Sequence, residues 1–392
     1  MKIAVIGVKG IPANQGEIER YCQEFYPRLA ARGHQVDIFV QPQYNQQPWF
    51  SVGYYYNVRV IALASFPQKK IGFMFSSALS TVCASLGNYD VIHIQSTKAA
   101  WFSWFPRLFS GSKIIVTSHQ LNLDSHETKW RKVFHWLLPL TEKTAVINAD
   151  EIVVTSKALG QYFKQKYNIH SRYIPNAPRS YNKKDLQDLQ FSYGKSLRLE
   201  SKQYILYLGK LTPENRPDLL LEAFEKLEPK GWKLVLAGGI GNSMKYAIEL
   251  LDLAIENPNI IFTNEIRGQH LAQIISNAGL LVVPTNGEDL RLPLTVLEAM
   301  REKVPVLAND NRVYQELIGK DRGLLFQSGK LDSLIEKLQY AFSEPTELMA
   351  MAQKAQTYIT INHNWDRVTY GNLSLYLKIT AEMNSPSVQH NV

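Results

Sequence analysis

Two cations stand six residues apart in YLGKLTPENRPDLLLEAF, residues 207–224: Lys210, just past the glycine that closes a β-like run, and Arg216, ahead of a helical stretch. An ammonium is a compact charge and a guanidinium a planar fork, so the pair can clamp a diphosphate from both sides. Two solvated loop cations are the competing reading. A second signal on the same expected sheet edge favours the clamp. Residues 282–300, VVPTNGEDLRLPLTVLEAM, read as a strand, a polar turn and a helix with Pro293 near its first turn. Amides at such a helix start can donate to phosphate. Glu298, one or two turns further in, can accept from both hydroxyls of a nucleotide ribose. Its neighbours Ala299 and Met300 favour a partly buried carboxylate with an assigned role.

A third candidate is the loop GVKGIPANQGEIERY, residues 7–21, where Gly7, Gly10 and Gly16 precede a helix expected to begin near Glu17. Glycines there let the backbone approach a phosphate. The spacing is not GxGxxG, and QVDIFV ends in Val40 and Gln41 rather than in the acidic residue that holds a ribose in dinucleotide enzymes, which argues against a nicotinamide dehydrogenase. No GKS or GKT follows a glycine loop, so a P-loop ATPase is disfavoured as well.

The elements that would position these residues alternate. Strand-like runs at Lys2 to Val8, Gln35 to Val40, Val58 to Leu63, Asp90 to Ile94, Lys113 to Thr117 and Glu151 to Thr155 are separated by helical stretches, which predicts a parallel sheet covered on both faces. A polar stretch from Asn176 to Lys202 reads as a linker. The alternation resumes at Gln203 to Leu208, Trp232 to Ala237, Asn259 to Phe262, Leu280 to Val283 and Val304 to Leu307. The expectation is an α/β protein of two Rossmann-like domains facing each other across a cleft, with ligands at the carboxyl ends of the strands. The domains are expected at 1–180 and 203–361, joined by a linker at 181–202. The chain after Asp332 reads as helical to about Ala381 with a break near Asn362 and Asn364, and a C-terminal helix at 362–381 is expected to pack back on the first domain.

Composition narrows the function classes. With 392 residues, 45% apolar and 20% charged, the chain is neither disordered nor membrane-spanning. The most apolar long segment, Ile71 to Gly87, carries five Ser or Thr; Phe75, Leu79, Val82 and Leu86 recur at helical spacing and predict a packed amphipathic helix. The opening apolar stretch is too short for a secretory signal, so a cytoplasmic protein is expected. Cys22 and Cys83 lack partner spacing and are expected to be buried free thiols, and no metal is expected. A net charge of +8 favours an anionic partner, whether nucleotide phosphate, membrane surface or nucleic acid. KAAWFSWFPRLF at 98–109 and KWRKVFHWLLPL at 129–140 interleave aromatics with cations, as a headgroup-level contact on the inner face of a membrane would, but Trp101, Phe105 and Leu108 recur at helical spacing and favour core packing. No basic run of five or more, zinc spacing or RNP-like string points to nucleic acid.

Taken in order, GVKGIPANQGEIERY, ARGHQVDIF, IIVTSHQLNLD, NADEIVVTSKAL, RYIPNAP, GKLTPENRPDLLLEAF, PLTVLEAM and KVPVLAND resemble the retaining nucleotide-sugar glycosyltransferases of family 4, with the GT-B fold, over nearly the whole chain. The resemblance implies a UDP-, GDP- or dTDP-linked donor, a glycan or lipid-linked acceptor met by the N-terminal domain, and no metal or other cofactor. It implies Lys210 and Arg216 on the donor diphosphate, Glu298 on the ribose, backbone around Asn264 to Ile266 at the base, and backbone of Leu294 and Thr295 at the phosphates. Gly16 would approach the donor, and His119 would lie beside the transferred sugar. Two positions depart from the pattern. Gly16 is followed by Glu17 where the family has Gly-Gly, and Leu290 stands eight before Glu298 where the family has Glu, leaving Glu288 or Asp289 to meet the sugar hydroxyls. These departures leave open a catalytically degenerate scaffold or a nucleotide-sugar-binding interaction protein.

Overall fold

The computed structural model describes residues 1–13, 16–66, 69–119, 131–180, 191–240, 244–285 and 290–384. These divide into two units: residues 1–177, 290–292 and 365 onward in the first, and residues 178–289 and 293–364 in the second.

The first unit carries an eight-stranded sheet. Its strands are β1 (Lys2–Ile6), β2 (Gln35–Val40), β3 (Ser51–Tyr55), β4 (Val58–Ala62), β5 (Val91–Ile94), β6 (Lys113–Ser118), β7 (Glu151–Val154) and β8 (Arg172–Tyr173). They lie in the order β3-β4-β2-β1-β5-β6-β7-β8, all parallel except β3. Central strands such as KIAVI and VIHI are covered on both faces and so are mainly apolar, with His93 the polar residue buried within β5. The hairpin β3–β4 turns through Tyr56 and Asn57, both at positive φ, a backbone that matches the right-handed twist of its strands. The C-terminal helix Trp365–Asn384 belongs to this unit, where Trp365, Val368, Leu375, Tyr376 and Ile379 join Phe25, Tyr26 and Leu29 of the helix Glu17–Ala30 in one core.

The second unit is a six-stranded parallel sheet of β9 (Tyr204–Leu208), β10 (Lys233–Ala237), β11 (Ile260–Thr263), β12 (Leu280–Val283), β13 (Val306–Asn309) and β14 (Leu324–Phe326). The order β11-β10-β9-β12-β13-β14 is the doubly wound Rossmann arrangement, with its direction reversing between β9 and β12. In the first unit the reversal falls between β1 and β5. The loops that leave these central strands are the ones with candidate chemistry. The segment read as a linker contributes a short helix, Ser192–Ser196, to the second unit. Beyond β14, helices span Leu331–Ser343 and Pro345–Asn362.

One helix is turned the other way from its expected orientation. The helix Lys69–Ser85 buries Ser76, Ser77, Ser80, Thr81 and Ala84, while Phe75 is 41% and Leu86 72% exposed. Hydroxyls on the inward face are satisfied locally: Ser77 donates to Phe73 O, Thr81 to Ser77 O and Ser85 to Thr81 O, each at 2.7 Å. Small residues with self-satisfied hydroxyls let the helix approach closely at little desolvation cost. The bulky stripe lies at the rim, with Leu79 and Val82 half-buried and Phe75 and Leu86 exposed. The core reading of 98–109 also needs correction. Trp101 and Phe105 are half-buried, but Leu108 is 69% exposed, and Trp104 and Phe109 are exposed beside it. Of the two cysteines, Cys22 is buried and Cys83 only half-buried.

Candidate active site

The loop after β9 is pinned at the residue that carries its charge. The Lys210 carbonyl accepts from Thr212 N at 3.0 Å, from the Tyr207 hydroxyl at 2.7 Å and from Asn215 Nδ2 at 2.9 Å. On either side, Gly209 N donates to Ala237 O at 3.1 Å and Leu211 N to Gly239 O at 3.0 Å. A Cβ on Gly238 would fall 1.7 Å from Gly209 O, so only glycine lets the two strand-end loops meet. The Lys210 backbone is therefore rigid while its side chain is exposed.

Arg216 is half-buried and sits in the left-handed region at φ 51°, immediately before Pro217. That backbone is strained and has to be held by its surroundings. The side chain supplies part of the hold: Nε donates to Oδ2 and Oδ1 of Asp218 at 2.9 and 3.1 Å. Asp218 also accepts from the Tyr246 hydroxyl, and burial together with that bond to Asp218 pushes the Tyr246 phenol up. Because Asp218 engages Nε, the two Nη groups of the fork are, among the described residues, left for another anion. The contacts of Asp218 and Tyr246 with this loop are ones the sequence did not reveal. Asp218 looks like an ordinary first-turn acid, and Tyr246 is 28 residues away in the helix Met244–Ala254.

The helix Leu294–Arg301 begins directly after Pro293, whose carbonyl accepts from Val296 N at 3.2 Å and Leu297 N at 3.3 Å, and no side chain caps it. Leu294 is buried and Thr295 half-buried. Glu298 is only 1% exposed, with Arg179 Nε 3.5 Å from its Oε1. The expectation of a partly buried carboxylate omitted this cation, 119 residues earlier, which offsets the burial of the charge. Asn264 is exposed and Ile266 buried just past β11, next to a Glu265–Arg267 pair at 2.7 Å. Glu288 and Asp289 lie outside the described residues.

In the first unit, Gly16 is the N-cap of the helix Glu17–Ala30 at φ 95°, and a Cβ there would lie 1.9 Å from Glu19 Oε2. Glu19, buried, accepts from Lys9 N at 3.0 Å, and burial pushes its carboxyl up. It anchors the glycine loop to the helix that follows. His119, at the end of β6, is buried, and its Nε2 lies 2.9 Å from Gln95 Oε1. Gln95 Nε2 lies 2.6 Å from the Tyr26 hydroxyl. His93 connects Tyr26, Tyr376 and Thr117 at 3.0, 2.6 and 2.7 Å. Burial lowers His119 to about 4 and His93 to about 3, the latter with a smaller contribution from His119. Both rings are neutral near pH 7.

The N-terminal half, residues 18–177, matches the family model described as Glycosyltransferase Family 4, and residues 191–358 match Glycosyl transferases group 1. A D-inositol 3-phosphate glycosyltransferase from Gordonia bronchialis is 23% identical, covering 96% of this chain and 88% of its own. Among solved structures, the sucrose-phosphate synthase from Thermosynechococcus elongatus superposes with a TM-score of 0.82 at 22% identity, covering 97% of this chain and 99% of that one. Anabaena HepE in complex with UDP and glucose gives a TM-score of 0.75 at 16% identity, covering 97% of this chain and 100% of that one. The protein is a transferase enzyme with the GT-B fold. It belongs to the group 1 glycosyltransferases.

The two buried imidazoles have a measurable consequence. Folded, they bind protons more weakly than the ordinary value near 6.5, so the unfolded chain gains protons first as pH falls. Their contribution to stability is complete above about pH 6.5 and is lost as pH falls through about 4 for His119 and about 3 for His93. Thermal unfolding midpoints followed from pH 7.5 downward should drop over this window, and replacing both rings by the neutral pair His93→Gln and His119→Asn should flatten the drop. An equal slope in wild type and variant would contradict the assignment.

Proposed function

We propose that the protein moves a sugar, hexosyl in type, from a UDP-, GDP- or dTDP-linked donor to a glycan or lipid-linked acceptor, with retention of anomeric configuration and no metal. The observation that carries this reading is the strand-end pair in the second unit: Lys210 on a backbone fixed by three bonds to its carbonyl, and Arg216 held at Nε by Asp218. As the bond between the anomeric carbon and the diphosphate oxygen breaks, negative charge gathers on the leaving group. Lys210, the Nη groups of Arg216 and the amides of Leu294 and Thr295 stabilise that charge, which is the role a divalent cation fills elsewhere. The acceptor hydroxyl attacks from the face the diphosphate leaves, and its proton passes to a diphosphate oxygen. Glu298, buried beside Arg179, accepts from the ribose hydroxyls. Neutral His119 serves the substrate through hydrogen bonds rather than charge.

A panel of UDP-, GDP- and dTDP-sugars, followed by thermal shift and donor hydrolysis, identifies the donor. With that donor, Lys210→Ala should lower kcat/KM roughly 100-fold while leaving the unfolding midpoint in place. Glu298→Gln should weaken nucleotide affinity. Full turnover in the lysine variant would remove Lys210 from the diphosphate.

The acceptor side supports a peripheral membrane contact and, with it, a place in polysaccharide biosynthesis. The outward stripe of the helix Lys69–Ser85, with Ile71 and Phe75, and the adjacent helix Trp104–Phe109, with Trp104, Leu108 and Phe109, expose large apolar side chains beside Arg107. Such surfaces bind the headgroup layer through apolar burial and attraction to anionic lipid. No described helix is long and apolar enough to cross a membrane. Sedimentation with phosphatidylglycerol vesicles should carry the protein down more than with phosphatidylcholine, less so at high salt, and the variant Phe75→Ser with Leu108→Ser should stay in solution. Equal sedimentation of variant and wild type would reject this surface.

A further inference from the structure

The first unit holds a continuous polar network inside its core that the diphosphate chemistry does not use. Tyr26, His93, Gln95, Thr117 and Tyr376 are buried with essentially no exposure, and His119 is 6% exposed. They come from the first helix, from β5 and its end, from β6 and its end, and from the C-terminal helix 283 residues away from His93. The groups contacting the two imidazoles are phenols, an amide and a threonine hydroxyl. Tyr21 presents its ring edge-on to His119 at 4.9 Å, and its hydroxyl accepts from Asn372 at 3.0 Å. Cys22 lies on the same helix turn and is also buried.

The network reads in one direction. Gln95 Nε2 lies 2.6 Å from the Tyr26 hydroxyl and 3.3 Å from His93 Nδ1, so the amide presents its N–H groups to that side and its oxygen to His119 Nε2 at 2.9 Å. An amide oxygen only accepts. His119 Nε2 must then carry the proton, and in a neutral ring Nδ1 is left with its lone pair. Among the described residues, the buried Nδ1 has no hydrogen-bond partner. The opposite amide orientation would leave a buried, unpaired N–H at Nδ1, which proteins avoid more strictly than an unpaired acceptor.

We propose that Gln95 is a positioning residue that locks His119 in its Nε2–H tautomer, so that Nδ1 serves as a fixed acceptor for a substrate hydroxyl. The inference rests on the sugar-transfer reading for the identity of that hydroxyl, but not for the tautomer. His93, bonded to Tyr26, Tyr376 and Thr117, orients the Gln95 amide in turn. The C-terminal helix is thereby joined to the end of β6 through Tyr376.

Long-range proton–nitrogen correlation spectra of the histidine-labelled full chain, with His119 assigned through His119→Asn, test this directly. In the wild type, His119 Nε2 should resonate as a protonated pyrrole-type nitrogen and Nδ1 as a pyridine-type one. Gln95→Glu keeps an oxygen acceptor and should keep the tautomer. Gln95→Leu should lose it and lower kcat/KM by roughly 10- to 100-fold, the size of loss seen when the hydrogen-bond partner orienting a metal-bound histidine is removed, with Glu restoring most of the loss. A turned-over donor should shift the Nδ1 resonance. Wild-type His119 protonated at Nδ1 overturns the proposal even if the leucine variant does not fold, and so does an unchanged tautomer in that variant. Failure of every donor to turn over would count against the transferase reading, while the tautomer would still decide the role of Gln95.

Discussion

Parallel strand pairing is the constraint on which this protein depends. When every central strand runs the same way, all their carboxyl ends come out at one sheet edge, and the connecting helices cover both faces. The loops after β1, β6, β9 and β12 are therefore the segments with freedom to do chemistry. They are the segments that carry Gly16, His119, Lys210 with Arg216, and the helix start at Leu294. The interior strands are mainly apolar, with His93 of β5 and Thr117 of β6 among the buried polar exceptions.

Each of those loops is held by polar contacts placed just behind its candidate residue. The Lys210 carbonyl is saturated, Arg216 leans on Asp218, Glu298 is set against Arg179, and Gly16 is backed by the buried Glu19. A catalyst that works by stabilising charge needs donors already in place before the charge forms, since reorganising them during reaction would forfeit the gain. The close meeting of Gly209 and Gly238 serves the same end, because it fixes the backbone from which the Lys210 side chain extends.

The two units solve burial differently. The second keeps Lys210 and Arg216 just past a strand end and its sheet core apolar. The first threads a neutral polar network through its centre, with phenols and an amide around two uncharged imidazoles. Such a network is stabilising only when nearly every member is satisfied. Among its described members, one unsatisfied atom is the acceptor Nδ1 of His119, on the ring that the resemblance places beside the sugar.

Much of this was legible in the residues and some was not, for physical reasons. Apolar runs and their spacing gave eleven of the strands in order. β3, β8 and β14 escaped because they are short or stand at sheet edges, where one face is solvated. Lys210, Arg216 and the helix at Leu294 were visible as local patterns. Asp218–Tyr246, Arg179–Glu298 and Gln95–His119 were not, since each joins residues that only the fold brings together. The helix Lys69–Ser85 shows a further limit: periodicity locates a stripe but does not say which side faces inward, and here the small side does. The most direct test of the account is a crystal soaked with UDP. The account predicts diphosphate density in contact with Lys210 Nζ, the Arg216 Nη groups and the amides of Leu294 and Thr295, with the ribose on Glu298. Nucleotide bound elsewhere, with those groups turned from it, would contradict it.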